Sequence, residues 1–211
     1  NIFLLVAIIP IFVILFNLNL HIYNEKFYLN EFEKYDVYNS LGKEVVIENY
    51  DILIGYFKNK NNLDQSFFNE KEKKHMVDVK NLLMLAKYLF YISVLIMAIL
   101  ILYLALRKDF HSLIKGIFLG SLATIIMLLV LLSASLFNFS NMFLQFHFAF
   151  FSNNLWQLDP ATDNLIIMFQ EGFFYDSFKA ILVNSLITAV LILVSSLVLR
   201  HYLSYKKEVI E

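Results

Sequence analysis

The chain has 211 residues, of which 59% are hydrophobic and 17% charged, with a formal net charge of −1. A soluble domain usually carries about a quarter charged residues, so this apolar excess needs a non-aqueous setting. There is no cysteine, which excludes disulfides, zinc–thiolate sites and thiol catalysis, and also excludes the chain from being a lipoprotein itself, since lipid attachment needs an N-terminal cysteine.

The first element is the apolar run Ile2–Leu20, with Pro10 near its middle. A proline is tolerated in a membrane-crossing helix when neighbours satisfy the freed carbonyl. The chain opens at Asn1, inside this run and without Met, so a short preceding piece is expected. No small-x-small cleavage site stands near Phe16–His21, which makes the run a retained anchor rather than a removed signal peptide.

Residues 21–86 form a long polar segment with helical patterning over Lys26–Asn39 and Glu44–Phe57, broken by a stop at Gly42. Asn69 followed by Glu72 has the spacing of a capping box. From there apolar residues recur at Met76, Val79, Leu82, Leu83 and Ala86 and continue into the run Tyr88–Leu106. Glu70–Leu106 is therefore predicted as one long helix, with a bend allowed. At a 1.5 Å rise, His75 lies roughly 47 Å from Leu106, beyond the thickness of a hydrocarbon core of about 30 Å.

Arg107–Lys115 is a short basic connection, followed by the apolar run Gly116–Phe137. Gly116-x-x-x-Gly120 reads as helix packing. Asn138–Phe178 holds ten Phe, Trp156 and Tyr175 without any Lys or Arg. So many rings must pack against the first polar segment, lie in the membrane interface, or line an apolar pocket. The last run, Ala180–Leu199, precedes a tail with Arg200, Lys206 and Lys207. Basic residues collect on the cytoplasmic side. This gives an all-α integral membrane protein with four spans at 1–20, 87–106, 116–137 and 179–199. Cap segments 21–86 and 138–178 are extracellular, and a loop at 107–115 and a tail at 200–211 are cytoplasmic.

Several polar residues are candidates for chemistry. His75 and Asp78 are three apart and share a helical face, so the acid could orient the imidazole; the alternative is a surface histidine among charges. His147 sits in Gln145-Phe146-His147-Phe148-Ala149-Phe150-Phe151, where its charged form is disfavoured and a neutral base results; the alternative is a structural histidine bonded to a carbonyl. Asn153, Trp156, Asp159 and Asp163 lie in a segment dense in hydrogen-bonding groups that opens a turn at Asp159-Pro160. For the acids the alternative is turn and cap chemistry. A metal held by His75, Asp78, His147 and Asp163 lacks any recognised ligand motif. No nucleophile elbow, P-loop or nucleic-acid-binding stretch is present.

Three blocks carry a family resemblance. They are His75-Met76-Val77-Asp78-Val79-Lys80, then the aromatic His147 segment, then Trp156-Gln157-Leu158-Asp159-Pro160-Ala161-Thr162-Asp163-Asn164-Leu165-Ile166 with Glu171-Gly172-Phe173-Phe174 after it. Together with the four-span layout they resemble the bacterial lipoprotein intramolecular transacylase family, Lit. Gln170 departs from the proline expected before the Glu-Gly block, which touches a turn and not the chemistry. The resemblance implies an acyltransferase of the bacterial plasma membrane with its site at the outer face. Its substrate is a diacylated lipoprotein, whose sn-2 acyl chain moves to the α-amine of the N-terminal cysteine, leaving a lyso-form product. It also implies catalysis by two histidines, matching His75 and His147, with Asp78, Asn153, Trp156, Asp159 and Asp163 in support. No cofactor, metal or nucleic acid is expected; membrane lipids are. The competing readings are a metal-dependent membrane hydrolase and a non-catalytic membrane protein that binds lipid or a partner.

Overall fold

Every regular element of the computed structural model, which describes residues 2–63 and 66–210, is a helix. Asn1 and the Lys207 side chain, to which the expectations above refer, lie outside the described residues. The order is α1 (Ile2–Ile22), α2 (Glu25–Lys34), α3 (Val37–Leu41), α4 (Lys43–Phe57), α5 (Glu70–Leu106), α6 (Phe110–Phe150), α7 (Asn164–Met168) and α8 (Glu171–Ile210). Four of them, α1, α5, α6 and α8, are long and apolar enough to cross a bilayer.

The chain divides into two compact units, one made of residues 1–19, 87–134 and 179–211, the other of 20–86 and 135–178. In the first, the buried core takes Leu5, Ile9 and Val13 from α1, Leu100 and Leu104 from α5, Leu113 from α6 and Ala189 from α8. The glycine pair packs helices, as its spacing suggested. A Cβ at Gly116 would meet Leu5 Cδ1 at 2.6 Å, and one at Gly120 would meet Ile9 Cδ1 at 2.6 Å. Between helices in an apolar medium, close backbone approach supplies the dispersion contacts that hold them together. Asn17 adds a polar link, donating to Thr188 Oγ1 at 3.2 Å and to its own helix at Val13 O.

The second unit has an aromatic core. Phe32 is fully buried and meets Tyr38, Tyr50, Phe169 and Phe173; burying such a ring stabilises by about 1.5–3 kcal/mol relative to exposing it. Met76, Leu165 and Met168 complete the cluster. Gly42 breaks the chain between α3 and α4 at φ +85°, a left-handed conformation that glycine adopts without steric cost.

Helix α5 begins at Glu70 and runs unbroken to Leu106, as the capping box and periodicity predict. Asn69 Oδ1 accepts from the Glu72 amide at 3.1 Å, and Glu72 Oε2 accepts from the Asn69 amide at 2.6 Å. Helix α6 differs from expectation. It continues past the predicted span end at Phe137, with one non-helical residue, Asn138 (φ −160°, ψ 67°). Asn138 Oδ1 accepts from the Asn141 amide and so caps the second half, residues 139–150. The kink follows from that side chain, which offers the backbone a local alternative to the helical bond. Helix α8 starts at Glu171, well before the predicted span, and α7 was not foreseen.

Candidate active site

The second half of α6 carries His147, and the N-terminal part of α5 carries His75. Both belong to the second compact unit. His75 is 6% exposed and His147 9%, and their ring centroids lie 6.4 Å apart with a 32° tilt. Phe151 touches both, at 5.1 Å from His75 and 5.6 Å from His147. Phe143, Phe146 and Trp156 close around His147, with centroids at 4.4, 5.6 and 4.8 Å.

His147 Nδ1 lies 2.7 Å from the Phe143 carbonyl, one helical turn back. A carbonyl only accepts, so Nδ1 carries the proton and, in the neutral ring, Nε2 carries the lone pair. This contact is the carbonyl-bonded arrangement foreseen as the structural alternative, and it also defines a base. Burial pushes the His147 imidazole down from its ordinary value while the Phe143 carbonyl holds it up. Burial pushes His75 down to about 4; the neighbouring His147 adds to the push and Asp78 opposes it. Both rings are therefore neutral near pH 7.

Asp78 is not the hydrogen-bond partner of His75 Nδ1, which is buried without one. Instead Asp78 Oδ2 accepts from Asn153 Nδ2 at 2.9 Å. Asn153 Oδ1 in turn accepts from the Leu155 amide at 3.0 Å. The pair thus ties the loop leading to Trp156 onto α5, and Asp78 reaches His75 through its charge. Trp156 lies against His147 with a 34° tilt, and its Nε1 is also buried without a partner.

Asp159 and Asp163 sit in the turn that follows. Asp159 Oδ1 accepts from the Ala161 amide at 2.9 Å. Asp163, 3% exposed, accepts from the Asp159 amide at 2.7 Å, from Asn69 Nδ2 at 2.7 Å and from Thr162 Oγ1 at 3.1 Å. Burial alone would push the Asp163 carboxyl up, but these donors and Lys71 hold it below the usual carboxylate range. Lys71 also donates to the Gln157 carbonyl. Glu72, 1% exposed, adds a bond from the Leu165 amide at 2.6 Å. Turn and cap chemistry therefore accounts for both aspartates. The capping box revealed Glu72 in the sequence, but its second partner lies 93 residues away, which no local pattern reveals. A carbonyl bond to His147 was one of the alternatives, and the i−4 spacing marks Phe143 as the acceptor. Among the described residues, no three His, Asp or Glu side chains converge on a point that could hold a metal ion.

The ten phenylalanines of 138–178 divide between tasks. Phe169 and Phe173 enter the aromatic core, and Phe143, Phe146 and Phe151 surround the histidines. Phe148 and Phe150 remain more than half exposed on the same helix as His147.

Four bilayer-crossing helices joined by an aromatic helical unit define the class as an all-α membrane-integral protein. The model of the family described as lipoprotein intramolecular transacylase Lit matches residues 3–174. The chain belongs to that family and is an acyltransferase, a lipoprotein intramolecular transacylase. It is similar to the in meso structure of the membrane-integral lipoprotein intramolecular transacylase Lit from Bacillus cereus, at 28% identity, covering 99% of this chain and 96% of that one, with a TM-score of 0.83. Two further structures of the Bacillus cereus protein carry a histidine replacement. The arginine form matches at 27% identity over 100% and 93% of the two chains, with a TM-score of 0.79. The alanine form matches at 28% over 99% and 94%, with a TM-score of 0.78. A comparison with curated protein sequences finds no match.

Proposed function

We propose that the protein moves the sn-2 acyl chain of a diacylated lipoprotein onto the α-amine of that lipoprotein's N-terminal cysteine, with His75 and His147 as the acid–base pair. The observation that carries this reading is the pair of buried imidazoles 6.4 Å apart, one with its tautomer committed by the Phe143 carbonyl. The α-amine has an ordinary pKa of about 8 and attacks only when neutral. His147 Nε2 takes the amine's second proton as nitrogen bonds to the carbonyl carbon. His75 donates its N–H toward the glyceryl oxygen. When that oxygen leaves, the proton held on His147 passes to it, and both rings end as they began. Nucleophile and ester lie in one molecule, so no enzyme nucleophile is required. The transition state closes a ring of about eight atoms, which needs orientation, and the aromatic walls around His147 supply confinement.

Asp78 and Asn153 serve as positioning residues that hold the Trp156 loop, while Asp159 and Asp163 maintain the turn behind it. The basic residues of 107–115 and 200–207 support a topology with both ends in the cytoplasm and residues 21–86 and 138–178 at the outer face. Exposed Phe148 and Phe150 suit contact with acyl chains or lipid. Tandem mass spectrometry of the N-terminal peptide of a co-expressed lipoprotein tests the reading. Total mass is unchanged, but fragments retain one acyl chain on nitrogen. His75→Ala and His147→Ala, present at wild-type levels, are each expected to abolish those fragments. Their persistence in either variant removes that histidine from the mechanism.

A further inference from the structure

We infer that Trp156 is a catalytic hydrogen-bond donor, its indole N–H bonding the ester's carbonyl oxygen as negative charge develops on it. The inference rests on the acyl-transfer reading above. Two buried nitrogens in the histidine cluster have no partner, His75 Nδ1 and Trp156 Nε1. Tryptophan can only donate, so Nε1 calls for an oxygen acceptor. A buried donor left unpaired costs about 1–3 kcal/mol. The loop could avoid that penalty by turning the indole outward, yet Asn153, tied to Asp78 and to the Leu155 amide, holds it inward. The ring stacks on His147 at 4.8 Å and meets Phe148 edge-on at 5.3 Å. The donor is thus fixed on the ring that carries the proposed base.

The reaction supplies the missing acceptor. As the amine nitrogen bonds to the acyl carbon, the carbonyl π pair moves onto oxygen and His147 takes the amine proton. On collapse that pair returns, the bond to the glyceryl oxygen breaks, and the proton ends on the glyceryl oxygen. The indole proton stays on Nε1 throughout. A fixed donor aimed at developing charge acts without reorganisation, and removing one such donor typically lowers kcat about 10²–10³-fold. His75 serves the departing oxygen and Trp156 the carbonyl oxygen, so the two unpartnered nitrogens have separate tasks.

Trp156 is the one tryptophan in the chain, so indole-15N labelling yields a single side-chain N–H resonance from the intact protein. The probe is a lipopeptide with a phosphonate in place of the sn-2 ester, which presents a tetrahedral anionic centre. Binding of this probe is expected to shift the resonance downfield. Trp156→Phe, which keeps a ring against His147, is expected to lower kcat about 10²-fold with KM near wild type. An unmoved resonance with the probe bound, or a Trp156→Phe kcat within about twofold of wild type, overturns the inference; the labelled wild-type protein decides if the variant does not fold. Activity in His75→Ala and His147→Ala would instead overturn the underlying reading, so the two failures are distinguishable.

Discussion

At His75, burial and the neighbouring imidazole hold the ring's pKa at about 4, while in the unfolded chain it titrates near 6.5. Between those values the unfolded chain binds a proton at this position that the folded protein does not. Stability therefore falls as pH drops through that window and levels off below it. His147, shifted in the same direction, adds to the slope. The expected outcome is a shallower decline in the unfolding midpoint between pH 6.5 and 4 for His75→Gln than for the wild type; parallel curves would contradict it. Sequence alone made the individual residues legible. The segment Phe146-His147-Phe148 suggested a neutral histidine, and the rings that desolvate it are Phe143, Phe146, Phe151 and Trp156. The encounter of His147 with His75 was not legible by pattern, because the two sit on different helices and only tertiary packing brings them together. Each was a candidate from its own neighbours, and the family resemblance alone gave them a shared catalytic role. Asp78 shows the converse error. Its i+3 spacing from His75 suggested a direct partnership, but the acceptor was taken by Asn153, a residue from a distant loop.

Among the elements, α5 was readable from end to end because its cap and its periodicity are both local. The extension of α6 beyond Asn138 and the early start of α8 were not. Rings in these segments obscure the 3.6-residue pattern, and their helical state rests on packing with one another, as in the contacts Phe143–Phe174 and Phe139–Tyr175. Ser140 also donates to Glu171 between those two helix starts. Glu72 couples two elements, its two oxygens accepting from the amides of Asn69 and Leu165. Burial pushes its carboxyl up, against the amides that hold it down. Removing an acceptor from two buried N–H groups costs about 1–3 kcal/mol for each group. Glu72→Ala is therefore expected to lower the unfolding free energy by about 2–6 kcal/mol, and Glu72→Gln, which keeps one acceptor, by less. Denaturant titration in detergent compares them, and equal losses would refute the two-oxygen account.

For the molecule as a whole, the crossing helices were legible from their apolar runs, and Gly116-x-x-x-Gly120 announced where two of them approach. A side chain at Gly120 would meet both Ile9 Cδ1 and the Leu5 carbonyl, the latter at 3.2 Å. Overpacking of this kind typically costs about 1–3 kcal/mol. Gly120→Val should lower the thermal midpoint, and Ile9→Ala should recover part of that loss in the double variant; strictly additive effects would show that the two positions do not share the space.

The second unit is assembled from two stretches of chain with residues 87–134 between them, and Leu165 follows Glu72 by 93 positions. Ribosomes add about 5–20 residues per second, so roughly 5–20 s separate the synthesis of these partners. During that interval the nascent chain holds Phe32, Tyr50 and Met76 without Leu165, Met168, Phe169 or Phe173 to cover them. The site cannot mature one segment at a time: His75 waits for His147 and Phe151, and His147 for Trp156, all made after the apolar run of the third crossing helix.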